Sequence, residues 1–148
     1  MKIRNAAEKD ISEIAALSAR FTNEVPTWGQ AALTEEQVRR LDMRLVWVAE
    51  DAGKITGYAV CLPHENDGGC IYKDNDKILE LGEIYLVPEA RGKGVGSLLL
   101  KTINDDALKA GYTKLLVYSS VKELDPVVKF YRGGGFRTWG IQMFKEIE

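Results

Sequence analysis

The residues with the most chemical content lie between positions 83 and 100, EIYLVPEARGKGVGSLLL. One carboxylate, Glu83, sits among Leu81, Ile84, Tyr85, Leu86 and Val87, in an apolar run that reads as a buried strand ended by Pro88. A carboxylate in such surroundings is harder to ionise than one in water, which makes it a useful proton acceptor near neutral pH. The plainer reading is a strand carboxylate that reaches solvent or pairs with a lysine. Arg91 and Lys93 then alternate with Gly92, Gly94 and Gly96, and a helical apolar pattern follows. A helix N-terminus carries unpaired N–H groups and a partial positive charge, so it attracts anions. Glycines there let the backbone approach closely and adopt φ > 0, and successive N–H groups form a nest for phosphate oxygens. Residues 91–96 therefore read as a phosphate cradle. A merely flexible strand-to-helix connection would not bring glycines, cations and a helix start together.

Two phosphate motifs are excluded by spacing. A P-loop needs G-x-x-x-x-G-K-[ST], which is absent, and GKGVGS has the wrong third glycine for G-x-G-x-x-G. His64, the single histidine, follows Pro63 in a polar stretch and reads as a solvated loop residue, since no G-x-S-x-G accompanies it. Cys61, His64 and Cys70 are too loosely spaced for zinc and lack a fourth soft ligand, so no metal is expected.

These residues need elements to position them. The chain has 148 residues, 45% hydrophobic and 28% charged, enough for one domain (1–148) with a real core. A net charge of −2, from 20 basic and 22 acidic residues, argues against a dedicated nucleic-acid binder. No apolar run suits a signal peptide or a membrane helix, and two cysteines make no disulfide framework, so a reduced, cytoplasmic protein is expected. Residues 1–6 suit a first strand. Ile11, Ile14, Leu17 and Phe21 fall at helical spacing, and Pro26 and Gly29 break it. Thr34 and Gln37 form a capping box for a second helix running to about Met43. RLVWVAE and KITGYAVCL flank a hairpin turn at DAG. Residues 63–77 read as a long polar loop, with room for a short strand. After the glycines comes a helix closed by Gly111, then the buried strand TKLLVYSS. A short helix capped by Asp125 with Pro126 follows, and then a closing strand or hairpin from Phe136 onward. The expected class is α/β with a mixed sheet, antiparallel early and with a parallel crossover over residues 83–120.

LGEIYLVPEARGKGVGSLLL resembles the central motif of the GNAT N-acetyltransferase superfamily, in which a strand ending V-x-P leads into [QR]-x-x-G-x-[GA]. Arg91, Gly94 and Gly96 occupy those positions. VVKFYRGGGF resembles the later F-Y-x-x-x-G-F signature, matched at Tyr131, Gly135 and Phe136. IRNAAEKDISEIAAL and VAEDAGKITGYAV, with Gly57, resemble the opening strand–helix and the hairpin, so the likeness spans essentially the whole chain. One departure is Leu124, which stands where many members carry an Asn that contacts the cofactor arm; Ser119 or Asp125 would have to supply that contact.

The resemblance implies an acetyltransferase fold: a sheet of six to seven strands, about four flanking helices and splayed central strands. It also implies transfer of an acetyl group from acetyl-CoA to a primary amine of a small molecule or peptide, by direct attack in a ternary complex. Backbone N–H groups of Arg91, Gly92, Lys93, Gly94, Val95 and Gly96 would hold the pyrophosphate, and Leu86 or Val87 would face the thioester oxygen. Glu83 would be the base and Tyr131 the acid that protonates the leaving sulfur; a core role is the alternative for Tyr131. The segments 22–34, 63–77 and 136–142 would line the acceptor site. Trp28 is as consistent with core packing as with substrate contact, and Asp74 and Asp76 with a solvated loop as with binding of a cationic acceptor. Many members are dimers, which makes a homodimer the expectation. A CoA-binding but inactive sensor or interaction module is the alternative function; keeping Glu83 and Tyr131 disfavours it.

Overall fold

The computed structural model describes residues 1–24 and 27–147. Pro26, one of the two residues expected to break the first helix, lies outside them. Among the described residues, five strands form one sheet in sequence order: β1 (Lys2–Asn5), β2 (Val46–Asp51), β3 (Lys54–His64), β4 (Ile78–Leu86) and β5 (Lys114–Val117). The first three pairings are antiparallel and β4–β5 is parallel. The parallel step follows from the crossover helix α3 (Val95–Lys109) between those strands. The hairpin between β2 and β3 turns through Ala52 and Gly53, both at positive φ, as a two-residue loop requires.

The sheet separates two apolar layers. Ile11, Ile14 and Leu17 of α1 (Ile11–Glu24) and Val38 of α2 (Glu35–Arg39) cover Val46, Val48 and Tyr58. Leu99, Leu100, Ile103 and Ala107 of α3 cover Trp47, Ala59, Leu79 and Leu81 on the other face. Alternation along β2 and β3 sends neighbouring side chains to opposite layers. Trp47 is fully buried and satisfies its indole N–H on Asp106, 3.1 Å away. The fourth helix, α4 (Leu124–Gly133), lays Phe130 and Tyr131 against this second layer.

Several expectations need correction. Among the described residues the sheet has five strands rather than six to seven, because neither residues 65–77 nor residues 136–147 add one. Residues 136–147 have strand-like composition but no regular structure, and they leave Ile141, Met143 and Ile147 exposed. Propensity makes a strand only where a neighbouring edge receives its hydrogen bonds. The capping box of α2 forms as expected, with Gln37 N 3.2 Å from Thr34 Oγ1 and Thr34 N 2.8 Å from Gln37 Oε1. The helix itself stops at Arg39, short of Met43, and a separate turn spans Met43–Leu45. α4 starts one residue before Asp125, with Glu123 at its N-cap. His64 is the last residue of β3 and not a loop residue: its Nδ1 lies 2.7 Å from Glu80 Oε2 on β4.

The acidic loop before β4 is tied down at Asp76. One carboxylate oxygen accepts from Lys114 Nζ and from Lys73 N, both at 2.7 Å, and the other from Thr113 Oγ1 at 2.7 Å. The hydrogen bond from Lys114 is the largest of the effects that hold its carboxyl at about 2, below the ordinary value. A carboxyl depressed on folding stabilises above its unfolded value, near ~4, and that stabilisation is lost as pH falls through about 2. Asp76→Asn should therefore lower Tm at pH 7, and the gap to the parent should close on acidification. Thermal melts at pH 7, 4 and 2 check this; a gap that stays constant would show that the charge is not what holds the loop.

Candidate active site

The site begins with a mismatch in strand length. β5 pairs with β4 only from Ile78 opposite Lys114 to Leu81 opposite Val117. Beyond that point β4 runs on to Leu86 beside β3, while the chain after Val117 leaves the sheet. The opening is a cleft of about 630 Å³, walled on one side by residues 81–86 and on the other by residues 118–121. The α1–α2 connection straps across it: Thr27 bridges Val121, and Trp28 N donates to Ser120 O at 2.9 Å. Farther along the strap, Leu33 N donates to the Oγ of Ser18, which is fully buried in α1.

The exposed edge of β4 offers its own backbone to this cleft. Val87 N is bonded to Thr56 O at 2.9 Å, so it points toward β3. Alternation then turns the Leu86 peptide groups the other way, into the opening. The Leu86 carbonyl confirms that direction by accepting from Arg91 Nε at 2.9 Å.

At one end of the cleft stands the glycine corner. Gly92 has φ 70° and Gly94 φ 78°, and a Cβ at either would meet nothing within 4 Å, so conformation rather than crowding calls for glycine here. α3 opens at Val95, and its first i→i−4 bond is Leu98 N to Gly94 O at 3.0 Å. The N–H groups of residues 95–97 have no carbonyl one helical turn back. Gly96 has a different reason: a Cβ there would come within 3.0 Å of the Phe130 ring, so it lets α3 and α4 close together.

Glu83 is buried in the cleft wall and both its oxygens are held. Tyr58 donates its hydroxyl to Oε1, and Gln30 Nε2 donates to Oε2 at 3.1 Å. Tyr58 is fully buried, and burial first, then the Glu83 charge, pushes its phenol well above the ordinary range. It therefore remains a donor to the carboxylate. Tyr131 lines the cleft from α4, its ring 5.1 Å from Phe130 and 5.3 Å from Phe136. Burial, with a smaller contribution from Cys61, pushes its phenol up to about 12.

Residues 42–138 match the family model of the acetyltransferase (GNAT) domain. The chain belongs to the GNAT family. A stretch of 59 residues is 37% identical to an uncharacterized N-acetyltransferase of Schizosaccharomyces pombe, covering 40% of this chain and 36% of that protein. Another of 92 residues is 27% identical to N-acetyltransferase 8 of Rattus norvegicus, covering 62% of this chain and 39% of that one. The chain thus spans well under half the length of these curated relatives. Its fold is shared with an aminoglycoside N-acetyltransferase solved in complex with CoA, at TM-score 0.73, 19% identity and 99% coverage of both chains. It is also shared with a ribosomal-protein-alanine N-acetyltransferase of Brucella melitensis biovar Abortus 2308, at TM-score 0.71, 17% identity and 98% coverage of both.

Within this GNAT chain the structure brings half of the expected residues to the cleft wall. Glu83, Leu86, Arg91, Gly96, Ser119, Tyr131 and Trp28 all line the cleft. Others stand differently from expectation. Arg91 N is bonded to Pro88 O at 3.1 Å, and its guanidinium is bonded to Glu24 Oε2 at 2.8 Å, so Arg91 staples the corner to α1. Lys93 is exposed at the corner, and Val95 is buried. Asp74 is exposed in its loop and Asp76 is clasped to Lys114, and neither is on the cleft wall. Leu124, at the departure from the family motif, is exposed at the start of α4, whereas Ser119 is in the wall.

Tyr58 and Gln30 were missed by sequence reading. The signal for Tyr58 was a tyrosine in an otherwise apolar strand, whose hydroxyl needs a partner once buried. Gln30 carried no such signal. Among the described residues no group of three or more His, Cys, Asp or Glu is placed to hold a metal ion, and no helix is long and apolar enough to cross a membrane.

Proposed function

We propose that the chain is an acetyl-CoA-dependent N-acetyltransferase that passes the acetyl group to a primary amine by direct attack in a ternary complex. The observation that carries this reading is the split between β4 and β5, with an open, positive-φ glycine corner at one end and the doubly held Glu83 in its wall. The corner suits a pyrophosphate: the N–H groups of residues 95–97 lack helical partners, and the open space over Gly92 and Gly94 admits phosphate oxygens. The amine acceptors named for the two structural neighbours, an aminoglycoside and a ribosomal-protein alanine, agree with this class. The thiols Cys61 and Cys70, neither in a disulfide, suit a reducing, cytoplasmic setting.

The thioester supplies the activated acetyl group. An amine is protonated at neutral pH and cannot attack until it loses a proton. Glu83 accepts that proton, steadied by Tyr58 and Gln30 in the geometry the acceptor must meet. The Leu86 N–H, turned into the opening, faces the oxygen that gains negative charge as nitrogen adds. Tyr131 keeps its proton throughout the working pH range and gives it to the departing sulfur.

A ligand that binds the folded state alone raises Tm. At a CoA concentration ~100 times Kd the gain is about 2.7 kcal/mol, or roughly 5–10 °C for a domain of this size. Melting curves with and without millimolar CoA test the reading, and no shift in a folded sample would end it. If CoA binds but no acyl-CoA and amine combination releases thiol, the chain is a binding module instead.

A further inference from the structure

We infer that the acceptor is a small molecule carrying one amine on an aromatic or apolar body. This rests on the acetyl-transfer reading above and narrows it. Around Glu83 the cleft is walled by Phe21, Trp28 and Tyr118. Trp28 is 55% exposed and Tyr118 70%, so both present open aromatic surface to whatever enters. Phe144 meets the Trp28 ring edge-on at 5.4 Å and lengthens that wall. Aromatic surface of this kind holds apolar bodies, and ring faces also attract a nearby ammonium.

The charges point the same way. Among the described residues, Glu83 is the one acid in the cleft wall, and it is the group required for proton transfer. A polyamine or aminoglycoside would bring further ammonium groups into the cleft, each needing a carboxylate or water to offset its desolvation. The basic groups nearby supply no further acid either: Arg91 lies in the wall already paired with Glu24, and Lys122 Nζ stands 4.8 Å over the Trp28 ring. The acidic loop before β4 does not compensate, since Asp76 faces Lys114. The site therefore offers one place for one ammonium, at Glu83 beside Gln30, and an aromatic surface with no second acid in the cleft wall for the rest of the molecule.

The reaction balances with one amine. The acceptor N–C bond forms as the C–S bond breaks. Nitrogen gives one proton to Glu83 before attack and sheds a second to solvent after it. Sulfur takes the Tyr131 proton, which the proton passing to solvent replaces. The products are the amide, CoA thiol and the one proton held by Glu83, returned to solvent.

The test compares acceptors on the full chain with acetyl-CoA. Thiol release and product mass are followed with phenethylamine and tryptamine on one side, spermidine and kanamycin on the other. The aromatic monoamines should show kcat/KM about tenfold or more above the polycations. Trp28→Ala should lower kcat/KM for tryptamine about tenfold, mainly through KM, and leave the Tm shift by CoA unchanged. Tyr118→Ala, at a more exposed position, should act in the same direction. Polycations that match or exceed the aromatic amines would overturn the inference, as would CoA-binding protein that acetylates neither aromatic amine. Absence of any CoA-induced Tm shift would instead remove the acetyl-transfer reading on which the inference stands.

Discussion

Glu83→Gln should lower kcat/KM by about 10²–10⁴-fold at pH 7, and the deficit should shrink as pH rises. Glutamine preserves the shape and the contact with the Tyr58 hydroxyl but cannot accept the ammonium proton. An alkyl amine with a pKa near ~10 is free in only about one molecule in a thousand at pH 7. Without a base the enzyme would depend on that fraction, which grows about tenfold per pH unit until the amine itself titrates. The variant's rate should climb accordingly between pH 7 and 9, while the parent's rises less. Tyr58 cannot take over as base, because burial alone already holds its phenol above the ordinary range. Steady-state rates across this pH range decide the matter. A variant profile parallel to that of the parent would mean that another group, reached through water, removes the proton.

Tyr131→Phe should reduce kcat by on the order of 10²-fold while leaving the fold and CoA affinity intact. The ring occupies a slot between Phe130 and Phe136 that phenylalanine fills equally well, so the change deletes only a hydroxyl. The phenol, pushed up to about 12 by burial, is protonated at every pH at which the enzyme can be assayed, which is what an acid for the leaving sulfur requires. For the same reason raising the pH should not rescue the variant: freeing more amine does nothing for a sulfur that lacks its proton. Measuring both variants over one pH series separates the roles, since only the Glu83 defect should fade. A Phe variant with near-normal kcat would reduce Tyr131 to a packing residue.

The two residues also show how far one-dimensional reading goes. Glu83 stood out because a carboxylate interrupts an apolar strand, and the glycine corner because glycine, cation and helix start coincide within six positions. Both are local demands, met by residues adjacent in the chain. Tyr131 was legible only through the resemblance of VVKFYRGGGF to a family signature; its burial against Phe130 and Phe136 supplies the physical content.

Local composition misleads where direction matters. The dense acids at Asp74 and Asp76 are equally consistent with a solvated loop and with an acidic lip for a cation, yet Asp76 turns toward Lys114, 38 positions away in the chain. Residues 136–147 looked like a strand because their side chains suit one, yet in this structure they pair with no strand. The Arg91 backbone N–H was expected on the pyrophosphate and is bonded to Pro88 O instead, while its guanidinium is held by Glu24 of α1 and by the Leu86 carbonyl.

By itself the sequence determined the order of elements from β1 to α4, the mixed sense of the sheet, the hairpin at Ala52 and Gly53, and the open backbone at Gly92 and Gly94. Each of these depends on the φ/ψ preferences and apolar spacing of neighbouring residues. The tertiary structure alone decided which partners the carboxylate has. Tyr58 reaches Glu83 because β3 and β4 pair in one register, with Tyr58 opposite Tyr85 and Glu83 two residues along. Gln30 reaches it because the α1–α2 strap is pinned at Ser18, Ser120 and Val121. Strand register and the path of a strap are fixed by the sum of many distant contacts, and a one-residue slip would turn every side chain on the strand to the other face. That information is spread over the whole chain, so it cannot be read at any one place in it.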